Sequence, residues 1–134
     1  MLILTWNIQW GLGVDERCDL ERIARDAQRL ADADVLCFRE VSDGFPELKG
    51  NDGRDQFACL AALFPWHEAI LGVNLDVRAP DGRRNRFGNL ILSRYPVEQV
   101  MRHTLPLGAR LRTRNACREG CSRLFCERLS APCA

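Results

Sequence analysis

The chain has 134 residues, 46% of them hydrophobic and 28% charged, which suits one ordinary globular domain with a core of its own. Its apolar stretches fall far short of the roughly 20 residues that a membrane span needs, and the apolar start lacks the basic lead-in and cleavage site of a secretory signal, so no membrane span and a cytoplasmic location are expected. Net charge is +1, yet residues 1–109 carry 13 basic against 16 acidic side chains, a balance that does not indicate the concentrated basic surface needed for sequence-independent binding of nucleic acid.

In chain order, residues 2–8 are aliphatic, β-branched or aromatic apart from Asn7 and lead to Gly11 and Gly13, the pattern of a buried strand followed by a loop. Asp19 is placed to cap a helix over 20–31, where Leu20, Ile23, Ala24, Ala27, Leu30 and Ala31 recur at helical spacing. Val35, Leu36, Cys37 and Phe38 form a second apolar run ending at the charged pair Arg39 and Glu40. Strand, helix and strand in this order predict a parallel crossover. Residues 42–55, rich in Gly, Asp and Pro, read as a loop, and 56–64 as a short helix closed by Pro65.

Residues 67–77 and 86–93 both read as strands, and Ala79, Pro80, Asp81 and Gly82 between them have turn chemistry, so an antiparallel hairpin is expected. A further strand is expected over 97–104, after the break at Tyr95 and Pro96. The sum is a mixed α/β layer. Beyond Leu107 the apolar period is lost, and Cys117, Cys121, Cys126 and Cys133 crowd a tail with six basic and two acidic side chains over 110–134. Three readings of 108–134 stand side by side: text from a shifted reading frame, a zinc site, or an unstructured extension. An odd total of seven cysteines argues against a disulfide framework.

Asn7 and Glu40 are the candidate site pair. Each ends an apolar strand, the two strands are neighbours in a parallel crossover, and ligands of α/β sheets bind at that edge. A carboxylate with a carboxamide beside it suits a hard, oxygen-seeking ion such as Mg²⁺; the plain alternative is a solvated strand terminus and a turn-forming asparagine. Arg83, Arg84 and Arg86 either reach a phosphate or belong to a solvated turn, and Asn89 either lines a cleft or simply sits in a strand. His67 and His103 read as ordinary strand histidines.

Three stretches carry a resemblance. Thr5-Trp6-Asn7-Ile8-Gln9-Trp10, then Val35-Leu36-Cys37-Phe38-Arg39-Glu40-Val41, then Arg86-Phe87-Gly88-Asn89-Leu90-Ile91-Leu92-Ser93-Arg94-Tyr95-Pro96 resemble, in order and spacing, three successive motifs of the endonuclease/exonuclease/phosphatase family. The resemblance covers residues 1–107, the amino-terminal half of such a domain. It implies a phosphoester hydrolase that holds Mg²⁺ or Mn²⁺ through Glu40, with Asn7 helping to orient the site, Asn89 and Arg86 on the substrate side, and a phosphate ester as substrate. It also implies a partial α/β sandwich: a first mixed sheet with flanking helices and the second sheet missing, leaving an apolar sheet face open to self-association.

Two departures from the family pattern stand out. Arg39 replaces the glutamine that usually precedes the metal-binding glutamate, and strand alternation points it away from Glu40. The later motifs, Asp-x-Asn and Ser-Asp-His, do not occur in this sequence. The expectation is therefore a truncated, inactive hydrolase; the competing expectation is a non-catalytic interaction or metal-binding small protein that uses its Cys-rich tail.

Overall fold

The computed structural model describes residues 1–103. Strand β1 (Ile3–Asn7) runs into a single 3-10 turn (Gln9–Gly11), followed by α1 (Leu20–Leu30), β2 (Val35–Asp43), α2 (Gln56–Leu63), β3 (Glu68–Arg78) and β4 (Arg84–Ser93). The strands form one mixed sheet in the order β1-β2-β4-β3, with β1 and β2 parallel and the other neighbours antiparallel. The expected α/β layer, parallel crossover and hairpin are all present. Residues 1–99 make one unit and 100–134 a second, of which only 100–103 are described. The cysteine-rich tail, with every reading attached to it, lies outside the described residues.

Local chemistry explains the elements. Asp19 caps α1 by accepting the Arg22 N–H at 2.8 Å, and α1 turns Leu20, Ile23, Ala24 and Ala27 inward. Asp55 caps α2 in the same way through the Ala58 N–H at 3.1 Å. Both helices share one apolar cluster with Leu36, Phe38, Val41, Leu90 and Leu92 of the sheet. Phe38, Leu90 and Leu92 are fully buried there, each worth roughly 1.5–3 kcal/mol in removed apolar surface. No helix among the described residues is long and apolar enough to cross a membrane.

Register partners share a face, so the opposite face can be read across the strands. Ile3, Val35, Ser93 and Glu68 form one row, and Thr5, Cys37, Ile91 and Ile70 the next. Alternation sets these residues away from the helix-covered core. Ile3 is 53% exposed and Ile91 38%, so this face carries uncovered apolar side chains.

Two expectations need correction. β2 does not end at Arg39 and Glu40: Phe38 pairs with Leu90 and Val41 with Gly88, so Arg39 and Glu40 together oppose Asn89 in a β-bulge, and the strand continues through Ser42 to Asp43. Gly88 beside the bulge admits no side chain, since a Cβ would lie 2.2 Å from the Gly72 carbonyl oxygen. The expected strand over 97–104 is absent from 97–103, and Thr104 lies outside the described residues. Val97 and Val100 are three positions apart, which sends them to opposite faces of any strand; the Val97 N–H instead donates to Glu68 Oε2 at 3.0 Å.

Candidate active site

β1 and β2 stay in register down to Asn7 and Arg39, and the Ile8 N–H donates to the Arg39 carbonyl at 3.1 Å as the last link. There β1 leaves the sheet through two left-handed residues, Gln9 at φ 48° and Trp10 at φ 44°. Asn7 uses its carboxamide at both ends: Oδ1 accepts the Gln9 N–H at 3.1 Å, and Nδ2 donates to Glu40 Oε1 at 2.5 Å. The sequence expectation that the two side chains meet at one edge of the sheet matches this geometry.

Glu40 does not sit at a strand end, however. It occupies the bulge with a left-handed backbone at φ 62° and is 6% exposed, while its neighbour Arg39 is exposed. A non-glycine residue held in that region costs on the order of 1–3 kcal/mol and persists only where the surroundings over-determine it. The bulge re-aims Glu40 toward Asn7, and bulges of this kind gather beside active sites. Asn89, half-buried, lies directly across from it.

Arg86 sits elsewhere in the charge pattern. Its Nε donates to Asp43 at 2.7 Å, its Nη2 donates to Asp55 at 2.8 Å, and its guanidinium lies 5.7 Å from the Phe57 ring centroid. The hydrogen bond to Asp43 holds Arg86 above its ordinary pKa. Arg83 and Arg84 form exposed pairs with Asp81 and Asp76. All three arginines are thus engaged by carboxylates of the chain.

His67 lies just before β3, at the Ile3 and Val35 end of the sheet, away from Asn7; it meets Phe64 edge-on at 5.6 Å, and both ring nitrogens are buried without a partner among the described residues. His103 is exposed and outside any strand. Two clefts, of about 330 and 510 Å³, include neither Asn7 nor Glu40.

Sequence reasoning passed over a buried polar network made of Gln56, Asn51 and Ser42. Asn51 sits in a Gly- and Asp-rich loop, Gln56 at a helix start and Ser42 in β2 past the bulge, where no apolar period marks them.

The donor set fits a hard divalent cation in part. Glu40 offers a carboxylate with Oε2 outside the bond to Asn7, while Asn7 turns its amide nitrogen to Glu40 and its oxygen to the Gln9 N–H; Mg²⁺ keeps several waters and takes only one or two protein carboxylates. Among the described residues no group of three or more His, Cys, Asp or Glu converges to hold a metal ion. One carboxylate is a partial site.

The mixed four-stranded sheet with its two helices is an arrangement that a phosphoesterase-type domain shares. The chain belongs to the Endonuclease/Exonuclease/phosphatase family, whose model matches residues 4–128 and so extends past Leu107. No curated protein and no solved structure matches it.

Proposed function

We propose that this chain carries the amino-terminal part of a divalent-metal-dependent phosphoester hydrolase, cytoplasmic and inactive by itself. The observation that supports this reading is the 2.5 Å hydrogen bond from Asn7 Nδ2 to Glu40 Oε1, made by a carboxylate buried in a strained bulge. Glu40 would hold Mg²⁺ or Mn²⁺, and Asn7 would fix the carboxylate's direction from its own anchor on the Gln9 N–H. A bound cation would polarise a phosphoryl oxygen and stabilise the leaving group. Asn89, opposite the bulge, is assigned to the substrate side. Arg86 reaches a phosphate only by giving up Asp43 or Asp55, so its proposed part is to hold the frame.

The expectation of inactivity concerns these 134 residues alone. Without Asp-x-Asn and Ser-Asp-His, no motif residue is left to activate water or protonate the leaving group, and general acid-base catalysis alone is worth about 10² to 10⁴ in rate. The substrate class is a phosphate ester, and the acidic balance of 1–109 does not favour nucleic acid within it.

The test is hydrolysis of bis(p-nitrophenyl) phosphate by the purified chain with Mg²⁺ or Mn²⁺. No turnover above buffer is expected; turnover by the wild-type chain would refute its inactivity, and turnover that persists in Glu40→Gln would refute the part given to Glu40.

A further inference from the structure

We propose that Gln56 is a positioning residue for the Asn7–Glu40 pair, its one side-chain amide tying the segment that leaves Asn7 to the segment that leaves Glu40. The inference rests on the reading of that pair as the metal-holding half of the site. The problem Gln56 solves is topological. The parallel ladder ends at Asn7 and Arg39; beyond it β1 departs through left-handed Gln9 and Trp10, while β2 continues to Asp43 beside β4 alone.

Gln56 fills that gap. It is the first residue of α2 and fully buried. Its Oε1 accepts the N–H of Ser42, two residues past Glu40, at 3.1 Å. Its Nε2 donates to the carbonyl of Trp10, three residues past Asn7, at 2.9 Å, with Asn51 Oδ1 at 3.3 Å and Cys18 Sγ at 3.4 Å alongside. The amide has one orientation: turned over, it would set its NH₂ against the Ser42 N–H and its oxygen against the Trp10 carbonyl.

The surroundings hold each arm. Asn51 donates to Ser42 Oγ at 3.0 Å and to the Phe45 carbonyl at 2.9 Å, and the Cys18 thiol donates to the Trp10 carbonyl at 2.9 Å. Asp55, capping α2, fixes the helix turn from which Gln56 projects. The strained residues, Gln9 and Trp10 on one side and Glu40 on the other, are therefore braced by a single side chain, and partners behind a metal ligand set its direction.

The experiment compares the wild-type chain with Gln56→Met, which keeps the length and loses both polar atoms, and Gln56→Glu, which, at a pH high enough to ionise the buried carboxyl, keeps an acceptor for Ser42 and loses the donor to Trp10. Leu60→Val on the same helix controls for general loosening. The readouts are the side-chain amide NMR signals of Asn7, hydrogen exchange at the Ser42 N–H, and Mn²⁺ affinity. In Gln56→Met the Asn7 signals should move toward those of a free carboxamide, Ser42 exchange should quicken at least about tenfold, and Mn²⁺ binding should weaken about tenfold or more. Leu60→Val should leave all three in place, and Gln56→Glu should move the Asn7 signals while sparing Ser42.

Unchanged Asn7 signals in a folded Gln56→Met chain overturn the proposal; if that variant does not fold, unchanged Asn7 signals in Gln56→Glu do so. A wild-type chain that binds no Mn²⁺ removes the metal reading instead, and the Asn7 signals still decide the role of Gln56.

Discussion

Asn7 and Glu40 lie 33 positions apart in sequence and meet through one bond, carboxamide to carboxylate, at 2.5 Å. Replacing Asn7 by Asp sets a second carboxylate against the first. The variant should be less stable than wild type by about 1–3 kcal/mol at pH 7, the cost of a buried acceptor without its donor. Urea denaturation of both chains at pH 7 measures the difference.

The left-handed backbone of Glu40 gives a second prediction. Glycine tolerates φ 62° and alanine does not, so Glu40→Gly should be more stable than Glu40→Ala by about 1 kcal/mol in chemical denaturation. Equal stabilities would mean that the bulge relaxes without Glu40.

Arg86 bridges Asp43 and Asp55 with only 21% of its side chain exposed. Arg86→Met should cost about 1.5–3 kcal/mol, because it strips charge-assisted hydrogen bonds from two carboxylates. Arg83→Met, at an exposed pair, should stay within about 0.5 kcal/mol. Thermal melts of both variants decide the contrast.

The open sheet face predicts self-association. Sedimentation of the purified chain should show species larger than the monomer, and its melt should be broad. Ile91→Lys, in the middle of that face, should shift the distribution toward monomer and reduce binding of a hydrophobic dye. A sharp two-state melt of a wild-type monomer would contradict this.

Asp34 links pH to the start of the sheet. It accepts the Leu2 N–H at 2.6 Å, and this bond holds its carboxyl below the ordinary aspartate range. A depressed folded pKa means stability present above the unfolded value, about 3.9, and lost as pH falls through the folded one. The urea midpoint should therefore hold from pH 7 to about 5 and drop below about pH 4, and Asp34→Asn should flatten that drop.

Much of this was legible in the sequence. The apolar run of β1, the Asp19 cap of α1 and the turn chemistry at Asp81 and Gly82 each act locally, so the chain announces them. The bulge was not legible, because two residues opposing one is a property of β2 and β4 together, and Arg39 with Glu40 reads as a strand end when β2 is read alone. Arg86 reads as a free cation until the fold brings Asp43 and Asp55 to it. Gln56 bonds across 14 and 46 positions, distances over which no sequence period speaks.

Glu40 is the proposed anchor of a divalent cation, and Mn²⁺ titration followed by paramagnetic broadening of amide signals tests that role directly. Broadening should appear first at Asn7, Glu40 and Asn89 and vanish in Glu40→Gln. Broadening centred on exposed carboxylates such as Asp52, or a pattern identical in wild type and Glu40→Gln, would contradict it.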